Sequence, residues 1–141
     1  MIIKQLSVFL EDKSGSLTDL TQILTENNIN ISALSMAEST DYGIVRMVVG
    51  QPDLAIKVLK QKGFLVNLTN VVCMQIPNKP GGLHQALQIL SDNNINIDYM
   101  YAFSTDNAAL AVLRSSSVED MIKVLQENKM QLLDESDIYQ V

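Results

Sequence analysis

Tryptophan is absent from this chain, and cysteine and histidine occur once each, as Cys73 and His84. A single cysteine excludes an internal disulfide and suits a reducing compartment, so a cytoplasmic location is expected. Nucleophilic catalysis needs a Ser, Cys or Lys held beside a base. The only Cys/His pair is better read as a small apolar strand residue and a surface helix residue, so no catalytic residues are expected. No Cys/His cluster has zinc spacing and no Asp-rich loop resembles a calcium site, so no metal is expected. Gly15 and Gly81-Gly82 do not form G-x-G-x-x-G, and G-K-[ST] is missing, which removes the dinucleotide and nucleotide phosphate loops and leaves no expected cofactor.

Positive charge is also scarce. Ten Lys and Arg face sixteen Asp and Glu, a net charge of −6, the wrong sign for neutralising phosphates, so neither nucleic acid nor an anionic membrane is an expected partner. The opening apolar run breaks at Lys4 and Gln5, too early for a signal-peptide core. No later run approaches the ~20 residues of a spanning helix. What the chain does hold is hydrophobic residues at 47% against 18% charged, a balance that folds into a packed core.

That core is built twice. Asn27-Asn28-Ile29-Asn30-Ile31 recurs as Asn93-Asn94-Ile95-Asn96-Ile97, an offset of 66 residues. The same offset pairs Lys13, Gly15 and Leu17 with Lys79, Gly81 and Leu83, and Ile56-Lys57-Val58-Leu59 with Ile122-Lys123-Val124-Leu125. Such a period marks a duplicated structural unit. The units are expected at residues 1–68 and 69–141. No Pro or Gly linker separates them near Thr69-Asn70, so intimate packing is expected.

Within each copy, β-branched runs at residues 2–10 and 71–76 read as strands that end in polar, glycine-containing loops at residues 11–16 and 77–82. Leu17, Leu20, Ile23 and Leu24 then make one helical face, as do Leu83, Leu87 and Leu90. Both helices end at paired asparagines, which tolerate the left-handed conformation. Residues 29–36 and 44–49 read as a hairpin around residues 40–43, and residues 95–102 and 108–113 repeat it around residues 105–107. A second helix opens at Pro52 and stops at Gly63. Its counterpart starts at a candidate capping box, Ser116-Ser117-Val118-Glu119. Short strands follow at residues 64–68 and 137–141. At the 66-residue offset, residues 137–141 match the first strand of copy two, so the copies are candidates for exchanging edge strands. The fold class is therefore α+β: two ferredoxin-like βαββαβ units in tandem, with antiparallel sheets and helices on one face.

Folds of this kind serve several functions, and each must be tested at its site. RNA-binding members stack bases on sheet aromatics, and residues 44–49 and 109–113 contain none. Copper carriers need paired cysteines. The polar loops remain: a glycine loop opening a helix aims backbone N–H groups at an anion such as a carboxylate, and Asp12 or Asn78 adds an acceptor for an ammonium group. The plainer role for these glycines is a tight turn and a helix cap.

The duplicated order of strand, Asn78-Lys79-Pro80-Gly81-Gly82-Leu83, helix and Asn94-Ile95-Asn96-Ile97 resembles the ACT domain family, small modules that sense amino acids in biosynthetic enzymes. The resemblance spans the whole chain twice and is closest to tandem pairs that stand alone or end amino-acid kinases. It implies a ligand between two ACT units, held by the loop of one and second-strand positions of the other. By position this names Asn78, Gly81 and Gly82 with Asn30 and Ile31, and Asp12 and Gly15 with Asn96 and Ile97. Copy one departs from the pattern, with Asp12 for Asn and Ser14 for Pro, and an ionised Asp12 repels a carboxylate. The implied function is a non-catalytic regulatory protein that binds a free amino acid, a homodimer acting on a partner enzyme of amino-acid metabolism. The alternative is a ligand-free protein–protein interaction module.

Overall fold

The computed structural model describes residues 1–38, 41–104 and 108–138. The expected hairpin turn at residues 105–107, part of the one at residues 40–43, and the last three residues of the strand expected at 137–141 lie outside them. The elements run β1 (Ile3–Glu11), α1 (Ser16–Glu26), β2 (Ile31–Glu38), β3 (Tyr42–Val49), α2 (Pro52–Gln61), β4 (Leu65–Ile76), α3 (Gly82–Asp92), β5 (Tyr99–Ser104), β6 (Ala109–Arg114), α4 (Val118–Glu127), β7 (Gln131–Leu132) and α5 (Glu135–Ile138). The chain divides into two compact units. The first comprises residues 4–69 with residues 136–138, and the second residues 1–3 with residues 70–135.

In the first unit β1 and β2 both pair antiparallel with β3, so they run parallel to each other, joined by α1. Alternate residues of these strands, Leu6, Val8, Leu10, Val45, Met47 and Val49, pack on Leu20 and Leu24 of α1 and Leu59 of α2. The period-2 strand pattern and the 3.6-residue helix pattern thus close on one core, with both helices on one face of the sheet. In the second unit β6 pairs antiparallel with β4 and β5, and β7 flanks β4 on its other side. Its core repeats the first, with Val72, Met74 and Ile76 against Leu90 of α3 and Met121 and Leu125 of α4.

The paired asparagines end their helices as expected. Asn28 and Asn94 hold positive φ of 56° and 59°. Beyond them the Ile29 and Ile95 N–H groups donate to the Leu24 and Leu90 carbonyls at 2.9 Å, a Schellman closure. Asn27 and Asn93 each add a side-chain bond to the carbonyl four residues back at 2.8 Å.

Four expectations are corrected. The strands expected at residues 64–68 and 71–76 are one continuous strand, β4, with no Pro or Gly between the two apolar runs to break it. Asp137 and Ile138 belong to the short helix α5; the strand that closes the second copy is β7, 66 residues after Leu65 and Val66 in β4. The second strand of copy two starts at Tyr99, and residues 95–98 are irregular. The Ser116 capping box does not form: α4 is capped at Ser117 with no side-chain bond, and the Ser117 N–H instead meets the Ser115 hydroxyl at 3.3 Å.

Candidate functional site

The two glycine loops are copies in structure as well as in sequence. In the β1–α1 loop Lys13 N–H donates to the Glu11 carbonyl at 2.9 Å, Ser16 N–H to Lys13 at 3.4 Å and Asp19 N–H to Gly15 at 2.9 Å. In the β4–α3 loop Lys79 donates to Pro77 at 3.0 Å, Gly82 to Lys79 at 3.1 Å and Gln85 to Gly81 at 3.0 Å. Gly15 and Gly81 cap the two helices with φ of 89° and 87°, and neither helix has a side-chain cap. Leu17 and Thr18, and likewise Leu83 and His84, therefore keep backbone N–H groups with no backbone acceptor among the described residues.

The two glycines of copy two have different jobs. An added Cβ at Gly81 would meet nothing within 4 Å, so only the left-handed backbone demands glycine there. An added Cβ at Gly82 would run into the Pro77 carbonyl oxygen. Gly82 is thus fixed by the packing of its own loop, and Ser16 stands at the matching position of copy one.

Charge separates the two helix starts. Asp19 lies in the first turn of α1 and Glu11 and Asp12 precede it, whereas α3 has no acidic residue in its first turn. Carboxylates there occupy the field that would otherwise attract an anion, which favours the Asn78 loop for a carboxylate.

Strand register fixes where the remaining expected residues lie. In the first unit Glu11 at the end of β1 is level with Tyr42, beside the Gly43–Glu38 pair of β3 and β2. Ile31 pairs with Val49 at the other end of β3. Asn30 directly precedes it, its carbonyl accepting the Gly50 N–H at 2.9 Å. At ~3.4 Å per residue the two ends are roughly 20 Å apart. The second unit repeats this. Ile76 is level with Ala109 and Ser104, while Asn96 and Ile97 precede Tyr99, which pairs with Arg114 at the far end. The fold thus brings Asp12 with Gly15, Asn78 with Gly81 and Gly82, Asn30 with Ile31, and Asn96 with Ile97, and it holds each loop away from the second-strand residues of its own unit.

Beside each loop lies an open depression, of about 360 Å³ in the first unit and about 330 Å³ in the second. The two share positions across the repeat: Phe9 and Gln75, Ser16 and Gly82, Phe64 and Met130, Leu65 and Gln131. Loop composition alone did not point to these walls; comparing the copies position by position at the 66-residue offset does.

Cys73 and His84 do not meet. Cys73 pairs with Val112 and alternates with Val72 and Met74, which face the helices, so its side chain lies on the other face of the sheet from α3. Burial pushes its thiol up to about 12, and His84 is exposed on α3. Among the described residues no group of three or more His, Cys, Asp or Glu could hold a metal ion, and no helix is long and apolar enough to cross a membrane.

A family model described as an ACT domain pair matches residues 1–141. A crystal structure of a protein from Bacteroides thetaiotaomicron superposes with a TM-score of 0.97 at 48% identity, covering 100% of this chain and 98% of that one. The ligand-free regulatory subunit of aspartate kinase from Thermus thermophilus is similar in fold, with a TM-score of 0.66 at 13% identity over 88% of this chain and 91% of its own. The same subunit from Thermus flavus gives 0.63 at 13% identity over 88% and 90%. No curated protein is a significant match to the chain.

Proposed function

Because the chain belongs to the ACT domain pair family, we propose that it is a non-catalytic regulatory protein that binds a free amino acid between two ACT units. The loop of one unit supplies Asn78, Gly81 and Gly82, and the second-strand opening of another supplies Asn30 and Ile31. A second, weaker site uses Asp12 and Gly15 with Asn96 and Ile97. The observation that carries the reading is the separation of each loop from its own second-strand opening by the length of the sheet. Such a pair of elements can act on one ligand only when they come from different units, in one chain or in two copies.

The chemistry supports a zwitterion. The start of α3, capped by Gly81 without a side-chain bond, offers N–H groups and no acidic first-turn residue to a carboxylate, and the neutral Asn78 side chain can both donate and accept beside an ammonium group. The regulated partner is an enzyme of amino-acid metabolism, the assembly a homodimer, and the location cytoplasmic, in keeping with one unpaired cysteine.

Calorimetry on variants tests the assignment. Asn78→Ala weakens amino-acid binding by ~1–3 kcal/mol, the cost of one lost buried hydrogen-bond partner, and Gly81→Val abolishes it. Asp12→Ala has the smaller effect. With folding verified by circular dichroism, parental binding by Gly81→Val together with lost binding by Asp12→Ala would reject the site.

One observation favours the alternative of a ligand-free interaction module. β2 lies at a sheet edge, and its Leu34 and Met36 are 40% and 52% exposed, an edge of the kind that pairs with another chain. On that reading the variants above change no affinity because no amino acid binds.

A further inference from the structure

A duplicated fold carries its own control: wherever the two copies share a backbone position and differ in residue, the fold itself does not require the choice made in either. At one end of the first sheet the copies differ consistently. Phe9, Tyr42 and Leu65 stand where the second copy has Gln75, Ala108 and Gln131. Leu65 is 72% exposed and Tyr42 43%, so neither is held there by core packing. Phe9 alternates with Val8 and Leu10, which face the helices, and so lies on the other face of the sheet. Its ring meets that of Tyr42 edge to face with centroids 5.6 Å apart, and with Leu65 and Leu10 the two wall an open hollow of about 440 Å³. Exposed apolar patches with aromatic members and a polar rim are the usual centres of contacts between proteins.

The rim carries charge of both signs. Lys62, just past α2, and Asp19, in the first turn of α1, line the depression that adjoins this hollow through Phe9, Leu10, Glu11 and Leu65. Both are exposed, and neither has an ion pair among the described residues. Lys13 and Glu11 are instead committed to each other at 3.2 Å. The second copy has the neutral Asn128 and Gln85 in place of Lys62 and Asp19, so the apolar centre and both uncommitted charges disappear from it together. A surface with an apolar centre, one uncommitted cation and one uncommitted anion is complementary to itself. A two-fold axis between the charges sets the cation of each copy against the anion of the other and lays the apolar side chains together.

We propose that this end of the first unit is the contact between two copies of the chain, with Phe9, Tyr42 and Leu65 at its centre and Lys62 of each copy against Asp19 of the other. The inference rests on the homodimer proposed above and names its surface. It shares no residue with either amino-acid site.

Sedimentation velocity on the full chain over a range of micromolar concentrations tests it. The parent sediments as a dimer that dissociates on dilution. Phe9→Gln and Leu65→Gln each raise the dissociation constant about tenfold, as expected for losing the burial of one large apolar side chain. Both install the residue that the second copy already uses, and circular dichroism verifies the fold. Lys62→Asp alone and Asp19→Lys alone each raise the constant about tenfold, because the two-fold axis repeats one repelling pair. Lys62→Asp combined with Asp19→Lys returns it to the parental value, a rescue that a purely structural role of either residue does not give. A dimer that neither Gln variant weakens, or a charge-swapped double variant no tighter than the single ones, overturns this contact and leaves the homodimer standing. A parent that is monomeric at every concentration overturns the homodimer itself, and the contact with it.

Discussion

Two residues show how the same backbone position is solved differently in the two copies. Gly63 follows α2 with φ of 89°, and Lys129, its counterpart after α4, holds φ of 61°. A left-handed backbone costs an L-residue with a Cβ roughly 1–2 kcal/mol, partly offset by the greater chain entropy that glycine would lose on folding. Lys129→Gly should therefore stabilise the chain by about 0.5–1 kcal/mol, and Gly63→Ala should destabilise it by a similar amount; urea denaturation of both measures the difference. Cys73 gives a pH dependence. Its thiol is held above its ordinary value of 9.0, up to about 12, by burial, so in this range the unfolded chain releases a proton that the folded chain retains. The stabilising contribution is fully present below pH 9 and is lost as pH rises through 12. The melting temperature should fall across that window less steeply in Cys73→Ala than in the parent, and the parent thiol should resist iodoacetamide at pH 8 until the chain is unfolded.

At the scale of elements, most of the architecture was legible because its signals are local. The asparagine helix ends, the Pro52 start and the two-period, 3.6-period alternation all lie within a few residues of the structure they specify. The misreadings came where tertiary pairing decides. Residues 95–98 have the apolar spacing of a strand, yet ladder pairing with β6 begins only at Tyr99. β7 is two residues long, too short to leave a pattern, and only the 66-residue offset predicts its place. For the candidate site, the glycine loops were readable, whereas the distinct roles of Gly81 and Gly82 were not, since only the folded loop turns the Pro77 carbonyl onto Gly82. Gly82→Ala should destabilise the chain by about 1–3 kcal/mol through overpacking, while Ser16→Gly at the equivalent position should cost far less; paired thermal melts compare them.

Over the whole molecule, the compact units do not follow the halves of the sequence. Residues 1–3 belong with residues 70–135, and residues 136–138 belong with residues 4–69. Both exchanged segments carry a fully buried residue, Ile3 and Ile138. A chain of residues 1–68 lacks Ile138, and its ~70 residues are near the size at which a lone core is marginal. It should melt well below the full chain or fail to melt cooperatively, and a melt as high as that of the full chain would contradict the exchange.

The central claim is that an ACT domain pair with these loops takes a free amino acid as its signal. A thermal-shift screen of the twenty L-amino acids at millimolar concentration, confirmed by calorimetry, tests it directly, since a ligand that binds only the folded state raises the melting temperature by mass action. The account predicts a saturable rise for at least one amino acid, reduced in Asn78→Ala and little changed in Asp12→Ala. No shift with any of the twenty would contradict it.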